Sequence, residues 1–220
     1  MIFEIDNVEL YFKNKRILNG IYLKVDTGKV TAILGSNGSG KSCLMQITFG
    51  SMKAKYKLIR IDNKPILKPL YLTKLVKFLP QHHLIPNFFK VITAFKSYGV
   101  NWDEFISQFE AFSIFKNYKI NKLSGGERRV IETYLILKSD SKLVLLDEPF
   151  SHLAPLYIEQ IKTLIAQEKK HKAIIISDHM YRHIIDVSDE IYLLKNGCTK
   201  HIKNLLELED YKYLSEGSLS

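Results

Sequence analysis

Apolar residues in this chain follow two rhythms, and each predicts a different kind of element. Residues 1–12 and 17–25 alternate or run apolar with polar interruptions, as early strands of a sheet do, and "KLIRI" at 57–61 resembles a third. Four compact runs are mostly apolar: "KVTAIL" at 29–34, "LVKFL" at 75–79, "LVLL" at 143–146 and "AIII" at 173–176. Strands covered on both faces read this way. Between the last two lies "APLYIEQIKTLIAQEKK". There Leu156, Tyr157, Ile161, Leu164 and Ile165 fall at helical spacing and mark one face, with Pro155 in the first turn. Residues 91–138 break the strand rhythm and read as wholly helical. Within them "NWDEFISQFEAF" offers Asn101 as a cap, Glu104 three residues on, and Phe105, Phe109 and Phe112 along one side. Buried strands alternating with helices predict an α/β core with a mainly parallel sheet and a helical insert between strands.

Composition narrows the class. Hydrophobic residues make up 46% and charged residues 25%, ordinary values for a globular protein, and 220 residues supply one good core rather than two. No stretch approaches the ~18–20 uninterrupted apolar residues of a membrane span. The start, "MIFEIDNVEL", carries acids where a secretory signal carries bases, so export is not expected. Cys43 and Cys198 form no framework and fit a reducing cytoplasm. The net charge of +9 permits contact with nucleic acid, ribosomes or an anionic membrane. The lysines are dispersed, however, and a solvated basic surface accounts for them equally well.

The chemistry begins at "GSNGSGKS", which comprises Gly35, Ser36, Asn37, Gly38, Ser39, Gly40, Lys41 and Ser42 and is followed by Cys43. It fits G-x-x-x-x-G-K-S, follows a predicted strand and precedes a helix-like segment. Glycines let the backbone curl so that successive N–H groups line one concavity, and the helix start adds positive potential. Such a nest suits a phosphate chain, with Lys41 reaching the terminal phosphates and Ser42 holding Mg²⁺. The thiol of Cys43 also reads as a small apolar filler.

Carboxylates follow at "LVLLDEPF", where a buried strand runs straight into Asp147 and Glu148. Ligands of open parallel sheets sit at the carboxyl ends of strands, so both acids are expected to face the phosphates. Asp147 is assigned to Mg²⁺ and Glu148 to the attacking water. A third constellation, "LSGGERRV" at 123–130, is locally a helix start in which Ser124 and Glu127 make a capping box. Yet two adjacent glycines in a first turn cost about 1 kcal/mol each against alanine. Close approach to a phosphate explains them.

The order of these three motifs, over roughly residues 1–200, resembles the ATP-binding cassette (ABC) ATPases, the nucleotide-binding subunits of ABC transporters. The resemblance implies one cassette domain. Residues 1–80 and 139–200 form a P-loop NTPase core with an N-terminal antiparallel β subdomain, 82–138 a short α-helical subdomain bearing the signature, and 201–220 a short tail. It implies ATP and Mg²⁺ as ligands, and ATP hydrolysis coupled to transport. Ser124, Gly125 and Gly126 then bind the γ-phosphate held by a second cassette subunit, in a homodimer or heterodimer. Gln81 in "FLPQ" matches the glutamine that touches Mg²⁺ and senses the membrane partner. His179 in "IIISDHM" matches the switch histidine at the γ-phosphate. Phe12, or its neighbour Tyr11, matches the aromatic that stacks on adenine; Phe12 also reads as core at a strand end. The expected partners are transmembrane permease subunits, with no direct nucleic acid contact. The expected place is the cytoplasmic face of the cell membrane, as a peripheral subunit.

Departures from the family pattern carry information too. Where the family continues serine-alanine-leucine-aspartate, this chain has "SHLA", so Ala154 replaces the aspartate that couples the two sites. Arg129 stands where glutamine is commoner, which reads as a milder change. The helical segment between Gln81 and Leu123 is short for the class. His179 and His183 share an H-x-x-x-H spacing that can face a metal on a helix, but no third ligand is evident. The alternative function is a soluble cassette ATPase acting on a ribosome, nucleic acid or protein complex. Such relatives generally carry two cassettes or long insertions, and this chain has neither.

Overall fold

The computed structural model describes residues 1–218, so the last two residues of the expected tail lie outside the described residues. The chain opens with β1 (Ile2–Phe12) and β2 (Lys15–Asp26), an antiparallel pair. Inward positions of β1 switch from Phe3 and Ile5 to Val8 and Leu10 across Asn7, whose φ of 48° marks the bulge where the register shifts. Then come β3 (Val30–Leu34), α1 (Lys41–Phe49), β4 (Tyr56–Ile61), the two-residue β5 (Lys64–Pro65) and β6 (Val76–Leu79). The helical insert holds α2 (Val91–Tyr98), α3 (Trp102–Gln108) and α4 (Gly125–Lys138). The chain then alternates through β7 (Leu143–Asp147), α5 (Pro155–Glu168), β8 (Ala173–Ser177) and α6 (Tyr181–Val187). It closes on β9 (Glu190–Lys195), β10 (Cys198–Ile202) and the short α7 (Glu207–Asp210).

Two sheets result. One is antiparallel in the order β2-β1-β4-β5; the other runs β10-β9-β3-β8-β7-β6, parallel throughout except for the antiparallel β10. The parallel strands β3, β7 and β8 are buried along their full length because both faces are covered. Alternate residues divide between two cores. Ala32, Leu34, Val144 and Leu146 face the helical insert, while Ile33, Leu143, Leu145 and Ile175 face α1 and the antiparallel sheet.

The insert is not wholly helical. Gly99, at φ 66°, ends α2, and α3 gives way after Gln108 to 3-10 turns at Glu110–Phe115 and Ile120–Lys122. Asn101 does cap α3, accepting from the amides of Asp103 and Glu104. Phe95, Phe105 and Phe109 pack against Tyr134 of α4, and Trp102 and Phe112 pack against Phe105, so aromatic contacts hold this short lobe together. On α5 the expected face is corrected at its start: Leu156 is 66% exposed and Ile158 is buried beside Ile161, Leu164 and Ile165. Strands β9 and β10 were not among the expected strands. Among the described residues no helix is long and apolar enough to cross a membrane.

Candidate functional site

The strand β3 delivers the chain at Gly35 into a place where only glycine fits. An added Cβ would lie 2.6 Å from the Leu194 carbonyl oxygen of β9. The loop then turns through Gly40, at φ 107°, which is the N-cap of α1 and supplies no side-chain cap. The amides of the first turn of α1 are therefore open to an anion. Ser36, Asn37 and Gly38 are exposed, and the buried Ser39 hydroxyl has no hydrogen-bond partner. Lys41 is buried and folds back on its own loop, donating to the Gly35 carbonyl at 2.7 Å and the Ser36 carbonyl at 3.2 Å. Burial pulls its pKa down, while Asp147, Glu148 and Asp178 oppose that pull. A buried cation answered only by carbonyls is poorly paired, and a phosphate chain would satisfy it better. Burial likewise pushes the neighbouring Cys43 thiol up, and its side chain packs beside α1's apolar core, as a filler does.

The acids sit where the parallel sheet ends. Asp147 closes β7, is nearly inaccessible, and accepts hydrogen bonds from Ser42 and from Ser177 at 2.8 Å. Burial raises its pKa and the two hydroxyls offset part of the rise. The Ser42 hydroxyl and this carboxylate are hard oxygen donors of the kind Mg²⁺ prefers. Glu148 follows in the left-handed region at φ 55°, a conformation that costs a non-glycine residue on the order of 1–3 kcal/mol and gathers at functional sites. Its carboxylate is half-buried, accepting from the Ser151 hydroxyl at 3.2 Å, with His179 Nδ1 3.8 Å away.

His179 lies beyond the end of β8, exposed, and its Nδ1 is 3.2 Å from the buried Asp178. It precedes α6, so it shares no helix with His183. Gln81, beyond the end of β6, borders a cavity of about 530 Å³ together with Glu148, Arg129, Gly125 and His152. Phe12 is 51% exposed at the tip of the β1–β2 hairpin. Tyr11 is engaged: its hydroxyl donates to Glu9, and Arg16 and Lys55 lie over its ring. The exposed ring is therefore Phe12, not the core residue its strand position allows. Ser124 caps α4 in a complete capping box with Glu127. Gly126 is wedged, since an added Cβ would lie 2.6 Å from the His152 carbonyl oxygen, whereas Gly125 has nothing within 4 Å of that position.

The structure thus brings Lys41, Ser42, Asp147, Glu148 and His179 into one neighbourhood, with Gln81 and Gly125 at its border. Three residues that received no role in the site from sequence reasoning hold it in place. Asp178 accepts from the amides of Phe150 and Met180, both at 3.0 Å, tying the loop after β8 to the loop after β7; burial raises its pKa. Glu132 is fully buried in α4 and accepts from the Leu84 and Ile85 amides and from Arg128, fixing the loop that begins at Gln81. Arg129 binds backbone carbonyls at the ends of β6 and β7. The spacing of Arg128 and Glu132 by four was a legible pair; Asp178 gave no signal beyond an acid at a strand end.

Comparison with known proteins agrees with this geometry. A sequence model of the family described as ABC transporter matches residues 18–151. The lipopolysaccharide export system ATP-binding protein LptB of Haemophilus influenzae is 27% identical over 211 residues, covering 87% of this chain and 86% of that protein. An uncharacterised ABC transporter ATP-binding protein of Methanocaldococcus jannaschii is 31% identical over 213 residues, covering 90% and 84%. A solved ATP-binding subunit of an ABC transporter superposes with a TM-score of 0.82 at 21% identity, covering 100% of this chain and 96% of the other.

Proposed function

This chain belongs to the ABC transporter family, as an ATP-binding subunit that hydrolyses ATP to energise transport with membrane partners, and from that premise we propose how its own residues do so. The observation that carries the reading is the hydrogen-bonded run Ser42–Asp147–Ser177 beneath the phosphate loop, with Glu148 beside His179 at its edge. Lys41 exchanges the Gly35 and Ser36 carbonyls for phosphate oxygens. Glu148 accepts a proton from the attacking water, and His179 and the amides of the loop bear on the γ-phosphate as negative charge shifts to the leaving oxygen. Ser42, Asp147 and Gln81 would hold Mg²⁺, which neutralises phosphate charge when bound. The exposed ring of Phe12 is assigned to adenine.

Gly125 has open space in front of it and Ser124 is exposed. We assign both, with Gly126, to the ATP of a second cassette subunit, so that each site is completed by the partner. The unit spanning 82–138 is taken as the lobe that meets the transmembrane subunits, which places the chain at the inner face of the membrane.

The test is steady-state ATPase activity with nucleotide binding measured beside it. Glu148→Gln is expected to keep ATP affinity and lose turnover by about 10³-fold. Lys41→Ala is expected to weaken ATP binding by about 2–5 kcal/mol, the cost of truncating one partner of a buried charge pair. Near-normal turnover in the first variant, or unchanged affinity in the second, removes that residue from its role.

A further inference from the structure

We propose that Arg129 is a positioning residue for ATP hydrolysis, its guanidinium locking the ends of β6 and β7 together and so setting Gln81 against Glu148. The inference rests on the roles given above to those two residues.

The contacts are specific. Arg129 is buried in the second turn of α4. Its Nη1 donates to the Pro80 carbonyl at 2.7 Å, the peptide that leads directly into Gln81. Its Nη2 donates to the Asp147 carbonyl and, at 2.9 Å, to the Glu148 carbonyl, which Nε also reaches at 3.2 Å. One planar fork therefore gathers three carbonyls from two strand ends, and all three belong to or adjoin residues assigned to Mg²⁺ or water. Neighbouring Arg128 is different in kind. It pairs with the Glu132 carboxylate and serves the loop at Ile85 and Asn87.

Stability alone is a weak account of this arrangement. A buried cation normally finds a carboxylate, and breaking or leaving such a charge without one is costly. Among the described residues no carboxylate lies within ion-pair distance of Arg129, and its partners are carbonyls only. Burial lowers its pKa, and Glu132, Asp147, Asp178 and Glu148 oppose that pull; a guanidinium stays charged inside a protein, so the buried group remains a cation. Glu148 itself is the strained residue, at φ 55°. Such a conformation persists only when its surroundings over-determine it. Its amide is held by the Ser177 carbonyl at 2.7 Å, and its carbonyl is held by Arg129. The two bonds fix the peptides on both sides of the residue assigned to the attacking water.

The choice of arginine follows. Glutamine, with two donors at one end, reaches one strand end or the other; lysine offers no planar fork. Arg129 also sits five residues beyond Ser124 on a single helix.

The experiment compares wild type with Arg129→Ala, Arg129→Lys and Arg129→Gln in the full-length protein. Readouts are kcat, KM, the affinity for a fluorescent ATP analogue, and turnover in millimolar guanidinium. Expected for Arg129→Ala is a loss of about 10²-fold in kcat, the scale of an ångström's misplacement, with analogue affinity within about threefold of wild type. Guanidinium enters by the cavity that Arg129 borders with Gln81 and Glu148, and it should restore turnover about tenfold while methylammonium at equal ionic strength does not. Arg129→Lys should stay as slow as Arg129→Ala. A kcat within about twofold of wild type in a folded variant overturns the proposal, as does a loss confined to KM or a folded Arg129→Ala that guanidinium leaves unchanged. Should Arg129→Ala fail to fold, Arg129→Gln decides by the same criteria. An inactive wild type would instead sink the ATPase roles on which the inference rests.

Discussion

At the scale of single residues, the site is built from side chains whose neighbours are incomplete. Lys41 answers carbonyls of its own loop, Ser39 has an orphaned hydroxyl, and Gly125 faces open space. Ala154 belongs with them. It is the N-cap of α5 and offers no side-chain acceptor to the amides that follow. Aspartate there would accept from the second or third amide of the helix and add a negative charge at its positive end. Ala154→Asp should therefore stabilise the isolated chain by about 0.5–2 kcal/mol, read as a raised Tm. The same change restores the family's aspartate between Ser151, which holds Glu148, and α5. If that aspartate carries cross-site communication here, turnover or its cooperativity in ATP should rise as well. A raised Tm with unaltered kinetics would reduce the departure to a missing cap.

At the scale of elements, the two signature glycines separate folding from function. Gly126 packs the start of α4 against the loop after β7, and a methyl group there meets the His152 carbonyl oxygen at 2.6 Å. Gly126→Ala must push α4 and that loop apart, at a cost of about 1–3 kcal/mol in thermal or denaturant melts. Gly125→Ala meets nothing within the chain. It should leave stability unchanged or raise it by up to ~1 kcal/mol, because alanine suits a helix better than glycine. It should nonetheless lower ATPase activity if a second subunit's phosphate approaches that amide. Equal losses of stability in both variants would show that the pair is merely structural. Elements also mark the limit of what the sequence disclosed. The doubly covered strands β3, β7 and β8 were legible because burial on both faces leaves compact apolar runs, the edge strand β6 was legible because only Lys77 interrupts its apolar run, and the motifs at their ends were legible with them. Strand β9 carries a compact apolar run of the same kind, "IYLL" within "EIYLLK", and was open to the same reading; β10 was not, since at the sheet edge it carries Thr199, Lys200 and His201 without apolar alternation. Leu156 misled because helical spacing marks a face without saying what covers it. Arg129 was counted a mild substitution, since nothing in a run of charged residues tells which one points inward.

At the scale of the whole molecule, one chain presents half of each proposed site on opposite elements. The phosphate loop, Asp147, Glu148 and His179 gather at the ends of parallel strands. Ser124 and Gly125 open outward at the start of α4, joined through Gly126 and the His152 carbonyl to the segment that carries Ala154 and the exposed Leu156. A surface serving another copy's nucleotide should close only when ATP bridges the two. Two copies placed head to tail meet this requirement twice over, as a closed two-fold arrangement does. Glu148→Gln, which is expected to hold ATP without consuming it, should therefore run with ATP and Mg²⁺ in size-exclusion chromatography as a species twice the 25.5 kDa chain. Removing nucleotide should return it to the monomer. Adding Lys41→Ala should abolish the shift by removing the bridge. Adding Leu156→Glu should abolish it by placing a charge on an apolar contact, while ATP analogue binding stays intact. A dimer that forms without ATP would mean that apolar burial, not the nucleotide, holds the copies together. No dimer under any nucleotide would assign the second half of the site to a different cassette chain, and mixing with a sister subunit would then restore the shift.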